Sequence, residues 1–90
     1  MLRKELTIIN KLGLHARPAA MFVKVSSAHD AEVLVEKDEE QVNGKSIMGL
    51  MMLAAGCGAK ITVSAEGKDE AAVLAQLEAL VNGGFTEGGK

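Results

Sequence analysis

The chain has 90 residues and a mass of 9.4 kDa, enough for one domain and too little for a second or for a large enzyme with a deep cleft. Hydrophobic residues make up 48% and charged residues 24%, which excludes disordered and low-complexity chains. Ten basic residues against twelve acidic give a net charge of -2, with no dense basic stripe and no Trp or Tyr to stack bases, so nucleic acid is excluded as a partner.

Leu2 to Ile9 alternates, with Leu6 and Ile8 on one side and Glu5 and Thr7 on the other, the period of a half-buried strand. Asn10 to Gly13 is a turn. A helix is predicted to start near His15 or Ala16 and run toward Ala28, with apolar positions at Ala20, Phe22, Val23 and Val25. Pro18 fits only in its first turn, where backbone N–H groups have no intrahelical acceptor. Glu32 to Glu36 and Gln41 to Asn43 form a hairpin around Lys37 to Glu40, and Asn43-Gly44 marks the next reversal. Ser46 is placed to cap a short helix from Ile47 to about Leu53, stopped by Gly56-Cys57-Gly58. Lys60 to Glu66 alternates most cleanly, burying Ile61, Val63 and Ala65. Asp69 is the expected N-cap of a last helix whose stripe of Val73, Leu74, Leu77, Leu80 and Val81 ends near Gly83. Phe85 to Lys90, polar and glycine-rich, is expected to be a loose tail of the single domain spanning residues 1–90.

The order β-α-β-β-α-β-α, with strands apolar on one face only, predicts an α+β fold. It is an open-faced β-sandwich: a four-stranded antiparallel sheet with three helices on one face.

Leu14-His15-Ala16-Arg17-Pro18-Ala19 sets an imidazole at a helix start and a guanidinium two residues on. Free N–H groups and the positive end of the helix dipole converge there and favour an anion. Arg17 can give planar, charge-assisted hydrogen bonds to phosphoryl oxygens. Spacing alone leaves two readings, a polar helix cap or a histidine that takes up and releases phosphate.

Leu14 to Pro18 and, about thirty residues later, Lys45-Ser46-Ile47-Met48-Gly49-Leu50 resemble the two signatures of the histidine-containing phosphocarrier (HPr) family of the bacterial phosphoenolpyruvate-dependent phosphotransferase system, which transports sugars. The resemblance spans the whole chain. It implies that His15 is phosphorylated on Nδ1 by phosphorylated enzyme I and passes the group to an enzyme IIA domain, with Arg17 and the backbone at Ala16 steadying the phosphoryl group. It also implies the open-faced β-sandwich read above. The chain departs from many members in having Ala16 in place of a hydroxyl residue, and in running on to Lys90 where some members end in a carboxylate near the site.

Ile47, Met48, Leu50, Met51 and Met52 are more apolar side chains than one face of a two-turn helix can bury. Leu50 and Leu53 are assigned to the core, and Ile47, Met48 and Met51 to a docking patch, where flexible methionines suit a carrier with several partners. Ala20 and Lys24 extend that face along the first helix, Lys24 attracting acidic surfaces. Ser46 is read both as an N-cap and, by resemblance, as the target of a regulatory serine kinase and its phosphorylase. A regulatory binding module of the same fold, controlled through Ser46 and extending to a nitrogen-regulatory branch, is the alternative function. In either case the protein is a carrier or module and not an enzyme.

Other signals carry no chemistry. Gly44-Lys45-Ser46 lacks the glycine that a P-loop needs at position 39, which is Glu39. His29, in the last turn of the first helix and beside Asp30, suits a surface role. His15, His29 and Cys57 lack metal-ligand spacing, so neither metal nor cofactor is expected. Cys57 is a free thiol that needs no oxidising compartment. With no leader or membrane-spanning run, the reading is a cytoplasmic monomer that does not engage membranes.

Overall fold

The computed structural model describes residues 1–86. Alternation of apolar and polar side chains sets four strands, β1 (Leu2–Thr7), β2 (Glu32–Lys37), β3 (Glu40–Asn43) and β4 (Lys60–Glu66). Three helices, α1 (Ala16–Ser27), α2 (Ile47–Met52) and α3 (Glu70–Asn82), complete the β-α-β-β-α-β-α order. The strands form one antiparallel sheet in the order β1-β4-β2-β3.

The register places Leu6 opposite Ile61, Val63 opposite Val35 and Ala65 opposite Val33. These six residues are buried and form the floor of the core. The helices close it from one side with Phe22 and Ala19 of α1, Leu50 of α2 with Leu53 beside it, and Val73, Leu74, Leu77 and Val81 of α3. On the uncovered face Arg3 of β1 and Glu36 of β2 reach across β4 to an ion pair at 3.4 Å. Ser64, expected to be solvated, is buried there, because Arg3 and Leu34 are its two neighbours in register.

Element boundaries follow the sequence with a few informative departures. The β2–β3 hairpin turns on Asp38 and Glu39, both at positive φ (51° and 71°), as a tight two-residue reversal requires. In α1 the buried positions are Pro18, Ala19, Phe22 and Ser26, while Ala20 faces solvent and Val23 and Val25 are half-buried.

Helix α2 stops before the glycine triplet. Ala54 takes the left-handed conformation (φ 53°) and ends it, a task that glycine usually performs. Asp69 precedes α3 but makes no side-chain cap; its carboxylate turns instead to the chain leaving α1 and accepts the N–H groups of Asp30 and Ala31.

The tail expectation fails at Phe85. Gly84–Thr86 is a 3-10 turn in which Phe85 adopts φ 55°, and its ring is only 1% exposed, among the largest side chains of the core. Aromatic burial outweighs the local glycine preference for loop. The rest of the expected tail, from residue 87, lies outside the described residues.

Candidate functional site

Between β1 and α1 the chain makes a tight, internally bonded turn. Asn10 is fully buried, and its Nδ2 donates to the Gly13 carbonyl at 2.7 Å while Gly13 N–H donates to the Asn10 carbonyl at 3.1 Å. Leu14 N–H then donates to Ala55 O at 2.9 Å, tying the turn to the segment that follows α2. Gly13 sits at φ 71° so close to that segment that a Cβ there would lie 2.3 Å from Ala55 O.

His15 leaves this anchored turn in an extended conformation (φ -80°, ψ -172°) as the N-cap residue of α1. Its carbonyl accepts the Ala19 N–H at 3.0 Å. The N–H groups of Ala16 and Arg17 come before that bond and have no intrahelical acceptor, and Pro18 has no N–H at all. The first turn of α1 holds no acidic residue. A helix start of this kind offers donors and a positive dipole end to an anion.

The His15 side chain is half-exposed on an open cavity of about 190 Å³ that Leu12, Leu14, Ala54, Ala55 and Gly56 also line. Arg17 and Ala16 are exposed just beyond it, though neither lines the cavity. The structure thus sets the imidazole at the surface, at the amide end of α1. Arg17, Ala20 and Lys24, at helical spacings of three and four, are exposed together along α1.

Ser46 caps α2: its Oγ accepts the Gly49 N–H at 3.0 Å. The approach to Ser46 is fixed by Lys45, whose N–H donates to Asn43 Oδ1 and whose Nζ donates to the His29 carbonyl, each at 2.8 Å. Ile47, Met48 and Met51 are exposed as expected, with Met48 at 73%. Of the other exposed large apolar side chains, Met52 at 70% and Leu12 at 72% stand furthest into solvent. The i,i+4 spacing from Met48 was the available signal for Met52. Leu12 offered only the oddity of a leucine in a polar turn.

His29 lies just past the end of α1, with Nδ1 3.0 Å from the Val25 carbonyl. Cys57 is exposed, its Sγ 3.6 Å from Ile9 O. Among the described residues no three His, Cys, Asp or Glu gather in a way that could hold a metal ion. None of the described helices is long and apolar enough to cross a membrane.

Residues 2–83 match the family described as "PTS HPr component phosphorylation site". The chain is 51% identical over 88 residues to phosphocarrier protein HPr of Neisseria meningitidis, covering 98% of this chain and 99% of that protein. It is 44% identical over 81 residues to the HPr-like protein Crh of Bacillus subtilis, covering 90% of this chain and 95% of that one. The crystal structure of HPr from Thermoanaerobacter tengcongensis superposes with a TM-score of 0.93 at 44% identity, covering 96% of this chain and 97% of that chain. With a matching fold, a histidine at the head of α1 and this agreement along nearly its full length, the chain belongs to the HPr phosphocarrier family of the phosphotransferase system.

Proposed function

We propose that this protein is a cytoplasmic phosphoryl carrier in which His15 takes the group from phosphorylated enzyme I and delivers it to an enzyme IIA domain. The observation that carries this reading is the half-exposed imidazole at the amide end of α1, beside an open cavity and free of carboxylates in the first helical turn.

In the accepting step the Nδ1 lone pair of the neutral ring attacks phosphorus in line. The donor's bond to phosphorus breaks with its electron pair leaving on the donor, and a P–N bond forms on His15. The N–H groups of Ala16 and Arg17 and the Arg17 guanidinium are the donors available to the equatorial oxygens. Ala16 contributes only its backbone, because its methyl group has no hydroxyl to offer. In the delivering step protonation makes the imidazole the leaving group, so one residue serves both half-reactions and the protein turns over only with its partners. Ala20, Lys24, Ile47, Met48 and Met51 form the surface on which those partners dock.

Incubation with phosphoenolpyruvate and enzyme I should place one acid-labile, base-stable phosphate on the chain, and His15→Ala should take none. A His15→Ala protein that accepts the label would overturn the site.

A second reading, phosphorylation of Ser46 by a serine kinase to control docking, is favoured by the position of its half-buried hydroxyl directly before the exposed Ile47 and Met48. The protein would then also act as a regulatory module. Its monomeric state is part of the same proposal, tested by sedimentation.

A further inference from the structure

Leu12 is 72% exposed, yet it is not a loose residue. The Asn10–Gly13 hydrogen bonds close the turn around it, and the contact of Gly13 with Ala55 pins that turn to the body of the protein. A leucine held in water by a rigid turn is costly where it stands and loses little freedom when covered. It also lines the cavity that holds His15, together with Ala54, two residues past the end of α2 and its exposed methionines.

The charges along the chain segments that build this end of the protein point to what covers it. The stretches from Leu6 to His29 and from Gln41 to Ala65 contain Lys11, Arg17, Lys24, Lys45 and Lys60 and no carboxylate, while all twelve acidic residues lie elsewhere in the chain. A net charge of -2 therefore conceals a strong separation, and among acidic and basic residues the stretch that carries His15 holds only basic ones. Such a surface steers toward an acidic one.

We propose that Leu12 is a specificity-determining anchor that inserts into an apolar socket, rimmed by carboxylates, on the protein that donates phosphate to His15. The proposal rests on the carrier reading above and adds a residue outside the α1–α2 docking patch. Leu12 orients the donor against the histidine; it does not touch the reacting atoms.

The test is steady-state transfer from enzyme I to wild-type and Leu12→Ser protein, with phosphoramidate as a small donor that has no docking surface. The substitution should raise the KM of enzyme I for the carrier about tenfold, or ~1.4 kcal/mol, and leave kcat within about twofold. The loss with enzyme I should exceed that with phosphoramidate by a similar factor. Leu12→Met should restore most of the KM, and Leu12→Ser should melt with the wild type, since the side chain is already in solvent. A KM within twofold of wild type would overturn the proposal, as would equal losses with both donors. Wild-type protein that accepts phosphate from neither donor would instead bring down the carrier reading, and this inference with it.

Discussion

The Asp69 carboxylate accepts the amide hydrogen of Ala31 at 2.9 Å, and its second oxygen accepts that of Asp30 at 3.1 Å. One side chain at the head of α3 thereby holds the connection between α1 and β2, far away in sequence. Next to it, Glu70 accepts the Gly67 N–H at 3.0 Å and pairs with the N-terminal amine at 3.4 Å. Partial desolvation pushes the Asp69 carboxyl up, but the amides of Asp30, Ala31 and Asp69 itself, helped by the nearby His29, outweigh it and hold the group below the ordinary carboxylate range.

A depressed pKa in the folded state contributes stability above the unfolded value of about 3.9, and that stability is lost as pH falls through the folded value. Asp69→Asn should therefore lower the melting temperature most near neutral pH. The gap to wild type should close as pH falls through the lowered folded-state value, because the protonated aspartic acid resembles the amide. Thermal melts across this range check it; a constant gap would mean that the contact works through shape and not charge.

Phe85 ties the turn after α3 to the core, and Phe85→Ala should cost about 3 to 5 kcal/mol in urea denaturation. Such a loss is a large part of the 5 to 15 kcal/mol typical of a small domain. A value under about 1 kcal/mol would mean that the turn at 84–86 unfolds locally from an otherwise stable protein.

What was legible in the sequence was what local chemistry decides. Strand β4 has the limits that its alternation predicted, and the split of α2 into buried Leu50 and Leu53 and exposed Ile47, Met48 and Met51 follows helical spacing. The imidazole before Pro18 was legible because a proline so placed fixes the start of the helix. What stayed hidden was decided by distant contacts. Asp69 has the sequence features of a cap, yet two amides from another connection compete for it. Ala54 and Phe85 adopt positive φ, which sequence rules reserve for glycine, Ala54 because it joins the buried Leu53 and Ala55 and Phe85 because its own ring is buried. Leu12 was hidden in another way, since exposure of a single leucine has no sequence signature.

The position of His15 depends on Gly13, which lets the turn before it approach Ala55 closely. Gly13→Ala adds a methyl group at φ 71°, 2.3 Å from Ala55 O and 2.7 Å from Gly56 Cα, both backbone atoms that yield only by moving the loop. The expected loss is about 2 to 4 kcal/mol, with a slower accepting step because Leu14 and His15 shift with the turn. Gly56→Ala is the matched control. Nothing lies within 4 Å of its added Cβ, and its stability should stay within about 0.5 kcal/mol of wild type. Equal effects at the two glycines would contradict the close approach of Gly13 to Ala55.

Ser46 separates stability from the proposed regulation, because two substitutions should act differently on the cap and on docking. Ser46→Ala removes the acceptor of the Gly49 N–H and should cost about 1 kcal/mol in urea denaturation. Ser46→Asp keeps an acceptor at the cap and adds a negative charge at the amide end of α2, so its stability should stay within about 0.5 kcal/mol of wild type. In transfer the order should reverse. The alanine variant adds no charge to the proposed docking surface and should accept phosphate from enzyme I near the wild-type rate. The aspartate sets an anion beside the exposed Ile47 and Met48, on the proposed docking face, and should slow the accepting step at least several-fold. A Ser46→Asp protein that is both stable and as fast as wild type would show that charge at this cap does not reach the docking surface. Ser46 would then be a cap only, and the regulatory reading would fall while the carrier chemistry of His15 stood.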